Sequence, residues 1–146
     1  MHLTKSQYLS GQHCSKKLWL SSHKPEKGKH VDNFSAKIGN EVGLGATKNY
    51  PDGMMIKTSY NDHGLAVKET LELLKDYKTK AIFEAAFEYE NIRIRIDILE
   101  RLSNNKWGIR EVKSSRSVHK QFYDDIGIQY YVLQGLGYDI GSAKLI

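Results

Sequence analysis

The feature that most constrains this chain is the run Ile92-Arg93-Ile94-Arg95-Ile96-Asp97-Ile98, where isoleucine alternates with charge without a break. Side chains on a β-strand point to opposite faces with a period of two. The run therefore predicts a strand with Ile92, Ile94, Ile96 and Ile98 toward the core and Arg93, Arg95 and Asp97 on the other face. Ser103-Asn104-Asn105 reads as a turn, and Trp107 to Lys113 as the next strand, with Trp107, Ile109, Glu111 and Lys113 on one face. An apolar face that ends in Glu and Lys departs from ordinary patterning, and such departures concentrate at functional sites. Paired as a hairpin about the asparagine turn, the two strands bring Asp97 and Glu111 to the same end of the sheet.

The flanking pattern supplies the rest of an αβββαβ order. Ala81 to Tyr89 reads as a strand and Asn91 as its turn. A long helix over about 117–136 places Ile126, Tyr130, Leu133 and Gly137 near one stripe. A last strand starts at Ala143 and is cut short at Ile146, as expected of a fragment of a longer protein. Upstream, Thr4 and Gln7 have capping-box spacing, which predicts a helix over 4–11. A second helical stretch carries Cys14, Leu18 and Trp19. Residues 21–33, with breakers Pro25 and Gly28, read as an exposed loop. A helix over 33–48 aligns Phe34, Ile38, Val42 and Ala46. Its Gly39, Gly43 and Gly45 lower helix propensity, which close packing or a functional approach would explain. Tyr50-Pro51-Asp52-Gly53 is a turn, and a helix over 63–77 aligns Val67, Leu71 and Leu74. The expected fold class is α/β (α+β): one domain over 1–146, with a helical N-terminal region over 1–80 followed by a mixed sheet of about four strands over 81–146.

The 146 residues suit one domain, and no apolar run approaches the ~20 residues that span a bilayer. The N-terminus has no apolar signal core, so a cytoplasmic location is expected. Lys and Arg number 22 against 17 Asp and Glu, a net charge of +5, which favours anionic partners, nucleic acid first. The single cysteine, Cys14, excludes an intramolecular disulfide and a four-thiolate cage.

Two carboxylates brought together repel unless a cation separates them. Mg²⁺ or Mn²⁺ suits such a pair, taking one or two carboxylates with waters and a substrate phosphate. Asp97 and Glu111 are the candidate ligands, with the Val112 carbonyl between Glu111 and Lys113 as a further oxygen donor. Lys113 is placed to position a water or to stabilise developing negative charge. The same residues also fit a cross-strand salt bridge on a solvated face. His13, His23, His30 and His63 show no paired ligand spacing and read as surface residues. His119 follows the Lys113-to-Arg116 stretch and is a candidate phosphate neighbour. Lys16, Lys17, Lys24, Lys27 and Lys29 form either a backbone-tracking patch or a solvated loop.

Three segments together resemble the PD-(D/E)XK nuclease superfamily: Arg95 to Leu99, Glu111-Val112-Lys113-Ser114-Ser115, and Asp125 to Leu133 with Gln129-Tyr130-Tyr131. The nearest branch is the RecB-like one, with the CRISPR-associated exonucleases and related uncharacterised bacterial domains. Leu3 to Leu9 and Cys14-Ser15-Lys16-Lys17-Leu18-Trp19-Leu20 resemble the opening of that branch, so the likeness covers nearly the whole chain. It implies a restriction-endonuclease-like core and a metal-dependent deoxyribonuclease, of exonuclease type, acting on DNA. Asp97 and Glu111 match the metal carboxylates, Lys113 the catalytic lysine, and Gln129 the glutamine that orients the site. Glu84 stands at the edge of the metal site or on a solvated strand. Tyr130 and Tyr131 stack on bases or pack in the core. The chain departs from the branch where many members carry a helix histidine: it has Gly39-Asn40-Glu41-Val42-Gly43, with Glu41 as a substitute ligand or the site with fewer ligands. Iron–sulfur members use one N-terminal and three C-terminal cysteines. An iron–sulfur cluster is thus open only to a longer protein, leaving Cys14 as an orphan ligand or a small buried apolar residue.

Overall fold

Thr4 ends a two-residue strand, β1 (Leu3–Thr4), and starts α1 (Lys5–His13) through a reciprocal cap. Its hydroxyl accepts from Gln7 N–H at 3.3 Å, while the Gln7 side chain accepts from Thr4 N–H at 2.9 Å. The computed structural model describes residues 2–24 and 33–146. The elements that follow are α2 (Ser15–His23), α3 (Asn33–Thr47), β2 (Gly53–Met55), α4 (His63–Lys75), β3 (Ala81–Tyr89), β4 (Ile92–Arg101), β5 (Trp107–Glu111), α5 (Lys120–Gly135) and β6 (Ile140–Leu145). No described helix is long and apolar enough to cross a membrane.

The architecture is mixed α and β, with six strands in one mixed sheet where about four were expected. The order is β2-β3-β4-β5-β6, and β1 pairs with β4 off that path. The two additions are too short to show a period: β1 spans two residues and β2 three. β3, β4 and β5 form an antiparallel meander, while β2, β6 and β1 join in parallel. β6 begins at Ile140, before the expected Ala143, and pairs with β5 from Trp107 to Glu111. Of the expected loop over 21–33, residues 21–23 complete α2, and 25–32 lie outside the described residues.

The main core joins Ile82, Phe87, Ile94, Ile96, Leu99, Trp107 and Ile109 of the sheet to Ala66 of α4 and Val132 and Leu133 of α5. A second cluster unites Ala81, Phe83 and Ile98 with Ala46 of α3, Tyr50 and Val112. The Tyr50–Gly53 turn closes through a Gly53 N–H to Tyr50 carbonyl bond of 2.9 Å. A Cβ on Gly53 would stand 2.2 Å from the Phe83 ring, so the glycine admits that packing.

The uninterrupted alternation of β4 is not preserved. Ile94 and Ile96 lie in the main core, but Ile98 lies in the second cluster and Leu99 returns to the first. The switch coincides with a gap in the β3–β4 ladder. Phe83 pairs with Ile98 and Ala85 with Ile96, while Glu84 and Asp97 between them are unpaired. Glu84 has φ +57, a left-handed conformation rare for a residue with a Cβ. Matched departures on both strands keep the register while exchanging faces, which a pattern read on one strand does not reveal.

Candidate active site

A discontinuity along one edge of β4 makes room for the site. β5 pairs with Ile98 to Arg101, and β1 pairs with Ile92 and Arg93. Among the described residues, 94–97 have no strand partner on that edge. α1 follows β1 directly and brings Lys5 toward the opening. The end of β5 carries Glu111 and then Lys113, and α5 contributes Asp125 and Gln129 one turn apart.

Lys5 Nζ lies 3.1 Å from Glu111 Oε2 and 3.2 Å from Asp125 Oδ1. Lys113 Nζ lies 2.7 Å from Glu111 Oε1 and 2.5 Å from Asp125 Oδ2. Gln129 Nε2 donates to Glu111 Oε2 at 2.7 Å, to the Asp125 carbonyl at 3.0 Å and to Asp125 Oδ1 at 3.2 Å. Two ammonium groups thus balance two carboxylates, with a buried amide fixing both acids. Asp97 stands beside this group, and its Oδ2 accepts from Val112 N–H at 2.7 Å.

Burial pushes the Glu111 carboxyl up to about 7; Lys5 opposes that rise, and Asp97 and Asp125 add to it. Burial works against the charge of Lys5, but Glu111, Asp125 and Asp97 outweigh it and hold the amine above its usual range. Lys113 is likewise raised, burial being outweighed by Glu111 and Asp125. Asp125 is lowered, because Lys5, Lys113 and hydrogen bonding outweigh its burial. The two acids differ in kind: Asp125 is held as the anion, and Glu111 is poised near neutrality.

A cleft of about 570 Å³ opens over Glu111 and Lys113, while Lys5 and Asp125 lie outside its lining. Glu84, Asp97, Glu111, Val112 and Lys113 line one wall, and Gly39, Asn40, Gly43, Leu44 and Thr47 of α3 line the other. A Cβ at Gly39, Gly43 or Gly45 would meet nothing within 4 Å, so close packing does not account for these glycines. Two of them keep a cleft wall open instead. Glu84 enters the cleft from its strained position and accepts a hydrogen bond from the Tyr60 hydroxyl. Such left-handed residues cost about 1–3 kcal/mol and cluster at functional sites.

The expected residues Asp97, Glu111, Val112 and Lys113 therefore share one cleft, with Glu84 at its edge and Gln129 buried behind Glu111. Others do not join them. Glu41 is exposed and absent from the cleft lining, where Asn40 stands instead. The helical turn carries the neighbouring residue, and not Glu41, to that wall. Tyr130 and Tyr131 are 40% and 45% exposed, which excludes core packing for both, and neither lines the cleft. Tyr131 instead donates to Glu90 at 2.5 Å. Cys14 is exposed, contrary to the buried alternative, and stands between α1 and α2. His119 precedes α5 beside Ser117, outside the cleft lining. His63 is buried, unlike the surface residue expected, with Nε2 3.0 Å from the Phe87 carbonyl. Lys16, Lys17 and Lys24 are exposed, and Lys27, Lys29 and His30 lie outside the described residues.

Sequence reasoning missed Lys5, Tyr60 and Asp125. Lys5 is hidden because it follows a cap and joins Glu111 only through the β1–β4 pairing. Asp125 carried a usable signal: with Gln129 it interrupts the buried stripe Asp125, Ile128, Gln129, Val132 and Leu133. Expecting apolar residues there rotates the stripe onto Ile126 and Tyr130, which face elsewhere.

The donor types suit a hard divalent cation. Asp97 Oδ1, Glu84 Oε1 and the Val112 carbonyl have no hydrogen bond among the described residues. The carboxylate oxygens of Glu111 face ammonium groups, positive charges beside the acid that a metal would need to share. Among the described residues no three His, Cys, Asp or Glu groups form a ready ligand set. The chain matches no protein-family model, and no curated protein matches it.

Proposed function

We propose that this chain is a metal-dependent nuclease of the PD-(D/E)XK superfamily, RecB-like branch, hydrolysing DNA phosphodiester bonds. The observation that carries the reading is the convergence of Asp97, Glu111, Val112 and Lys113 on one cleft, with Gln129 bonded to Glu111. Asp97, Glu111 and the Val112 carbonyl would hold Mg²⁺ or Mn²⁺. When bound, the ion supplies Lewis acidity toward a phosphoryl oxygen and activates a water. Lys113 presents its ammonium to the same cleft, stabilising negative charge that develops on the phosphate. Gln129 and Asp125 orient Glu111 and Lys113, the role partners behind a ligand commonly play.

A second reading has its own observation: Lys5 and Lys113 together satisfy both oxygens of Glu111 without any metal. On that reading the domain binds nucleic acid without cleaving it. Incubating labelled single- and double-stranded DNA with Mn²⁺ separates the two. The nuclease reading expects cleavage by the wild type and its loss in Lys113→Ala and Asp97→Ala. Cleavage that persists in both variants overturns the assigned site, and binding without cleavage favours the second reading.

A further inference from the structure

On the other side of Asp97 lies a second cavity, of about 340 Å³. Lys5, Ser6, Tyr60, Arg93, Arg95 and Asp97 all border it, so three cations face one carboxylate. Two of those cations are neutralised elsewhere: Lys5 by Glu111 and Asp125, and Arg93 by Glu88 at 2.8 Å. Arg95 is not. It is only 8% exposed, yet it forms no ion pair among the described residues. Its Nη2 donates to the carbonyls of Thr58 and Ser59, each at 3.1 Å, its Nη1 donates to the Glu84 carbonyl at 3.4 Å, and its guanidinium lies 4.7 Å from the Tyr60 ring centre. Its Nε is buried with no hydrogen-bond partner among the described residues. A buried charge held only by dipoles and a ring is a costly arrangement unless an anion completes it.

Position narrows the class of anion. Tyr60 and Asp97 border both this cavity and the active-site cleft. Arg95 precedes Asp97 by two residues on β4, roughly 6.8 Å along an extended strand. That separation is of the order of one nucleotide step.

We propose that this cavity binds a phosphate group of the substrate strand adjacent to the phosphodiester that is cleaved, with Arg95 as its buried cation. The proposal rests on the nuclease reading for the identity of the strand. The phosphate is either an internal diester or a terminal monoester, and both present the same oxygens to a guanidinium.

Binding is measured without catalysis, by fluorescence anisotropy of a short labelled single-stranded DNA in EDTA. Arg95→Gln is the direct variant, with a thermal melt as its folding control. Ser6→Glu is the variant that keeps the proposal testable if Arg95→Gln unfolds. Ser6 is an exposed residue in the first turn of α1, where a carboxylate is favourable to the helix, and it places a negative charge at the cavity. Ser103→Glu, exposed at the far end of β4, makes the same charge change elsewhere. Ser6→Glu is expected to raise Kd about tenfold, and Ser103→Glu less than about twofold. A preference for the 5′-phosphorylated over the 5′-hydroxyl strand assigns a terminal phosphate, and equal binding assigns an internal one. Equal affinity of Ser6→Glu and Ser103→Glu overturns the proposal. If the wild type cleaves nothing with Mn²⁺ while the Ser6→Glu defect persists, the nuclease reading fails and the phosphate site stands. If cleavage is normal and Ser6→Glu shows no defect, the phosphate site fails and the nuclease reading stands.

Discussion

Two cavities meet at Asp97, and they treat buried charge in opposite ways. Along the first, the wall residues Glu111 and Lys113 are neutralised by Asp125 behind them and by Lys5, which borders the second, and Gln129 donates to both acids. In the second, Arg95 is buried against carbonyls and an aromatic ring, with no carboxylate paired to it among the described residues. The first arrangement balances its own charge, although Gln129 Oε1 is buried without a hydrogen-bond partner among the described residues, so its charged members depend on each other for stability. The second is incomplete on its own, so its charge is available to a ligand. Burial alone therefore does not separate structural from functional charge; the counter-charge does.

The largest effect should come from breaking the neutral group. Asp125→Ala leaves two ammonium groups facing one carboxyl, and is expected to cost about 3–5 kcal/mol of stability in urea unfolding. A cost below about 1 kcal/mol would show that the group is solvated and not mutually dependent. Asp97 belongs to neither set of ion pairs. Asp97→Ala should therefore cost less, about 1 kcal/mol for the lost Val112 N–H bond, while lowering Mn²⁺-dependent cleavage about 10²–10³-fold, the scale of losing one electrostatic contributor.

A pH series sharpens the same contrast. With its pKa raised to about 7, Glu111 keeps a proton in the folded protein that the unfolded chain releases near pH 4.5. Its contribution to stability is complete below pH 4.5 and is lost as pH rises through 7. In metal-free buffer the wild type should lose up to about 3 kcal/mol across that window relative to Glu111→Gln, which lacks the titration. His63, lowered by burial, acts with the opposite sign below pH 6.5, but it is present in both proteins and cancels in the difference. Parallel pH curves for the two would show that Glu111 titrates normally. The smallest effect is at the cleft wall: Gly43→Ala meets open space and should raise stability by no more than about 1 kcal/mol, read as a higher melting midpoint. A destabilised Gly43→Ala would mean that α3 packs more closely than the structure has it.

The sheet was largely legible in the sequence because its signals are local. The alternation at Ile92–Ile98, the asparagine turn and the apolar β3 give three strands, the last nearly to the residue at Trp107–Glu111. Glu111 and Lys113 stood out as charges where a strand pattern calls for apolar residues, and Asp97 through the hairpin pairing that brings it to the same end of the sheet. Gln129 was reached only through resemblance, since its helix reads as an ordinary amphipathic one until Asp125 and Gln129 are seen at buried positions. The switch of faces at Glu84 and Asp97 was not legible, because it requires a compensating change on a second strand.

By itself the sequence determined the order of the helices and of β3 to β6, the hairpin end where two carboxylates meet, and the excess of positive charge. The tertiary structure alone decided how those charges are divided. Lys5 reaches Glu111 across 106 positions of sequence because β1 pairs with β4. Arg95 and Asp97 sit two residues apart on one strand and both border the second cavity, yet only Asp97 also borders the first. Counter-charge is a matter of distance in space: chain pairing sets it, and a linear pattern records only which charges are present.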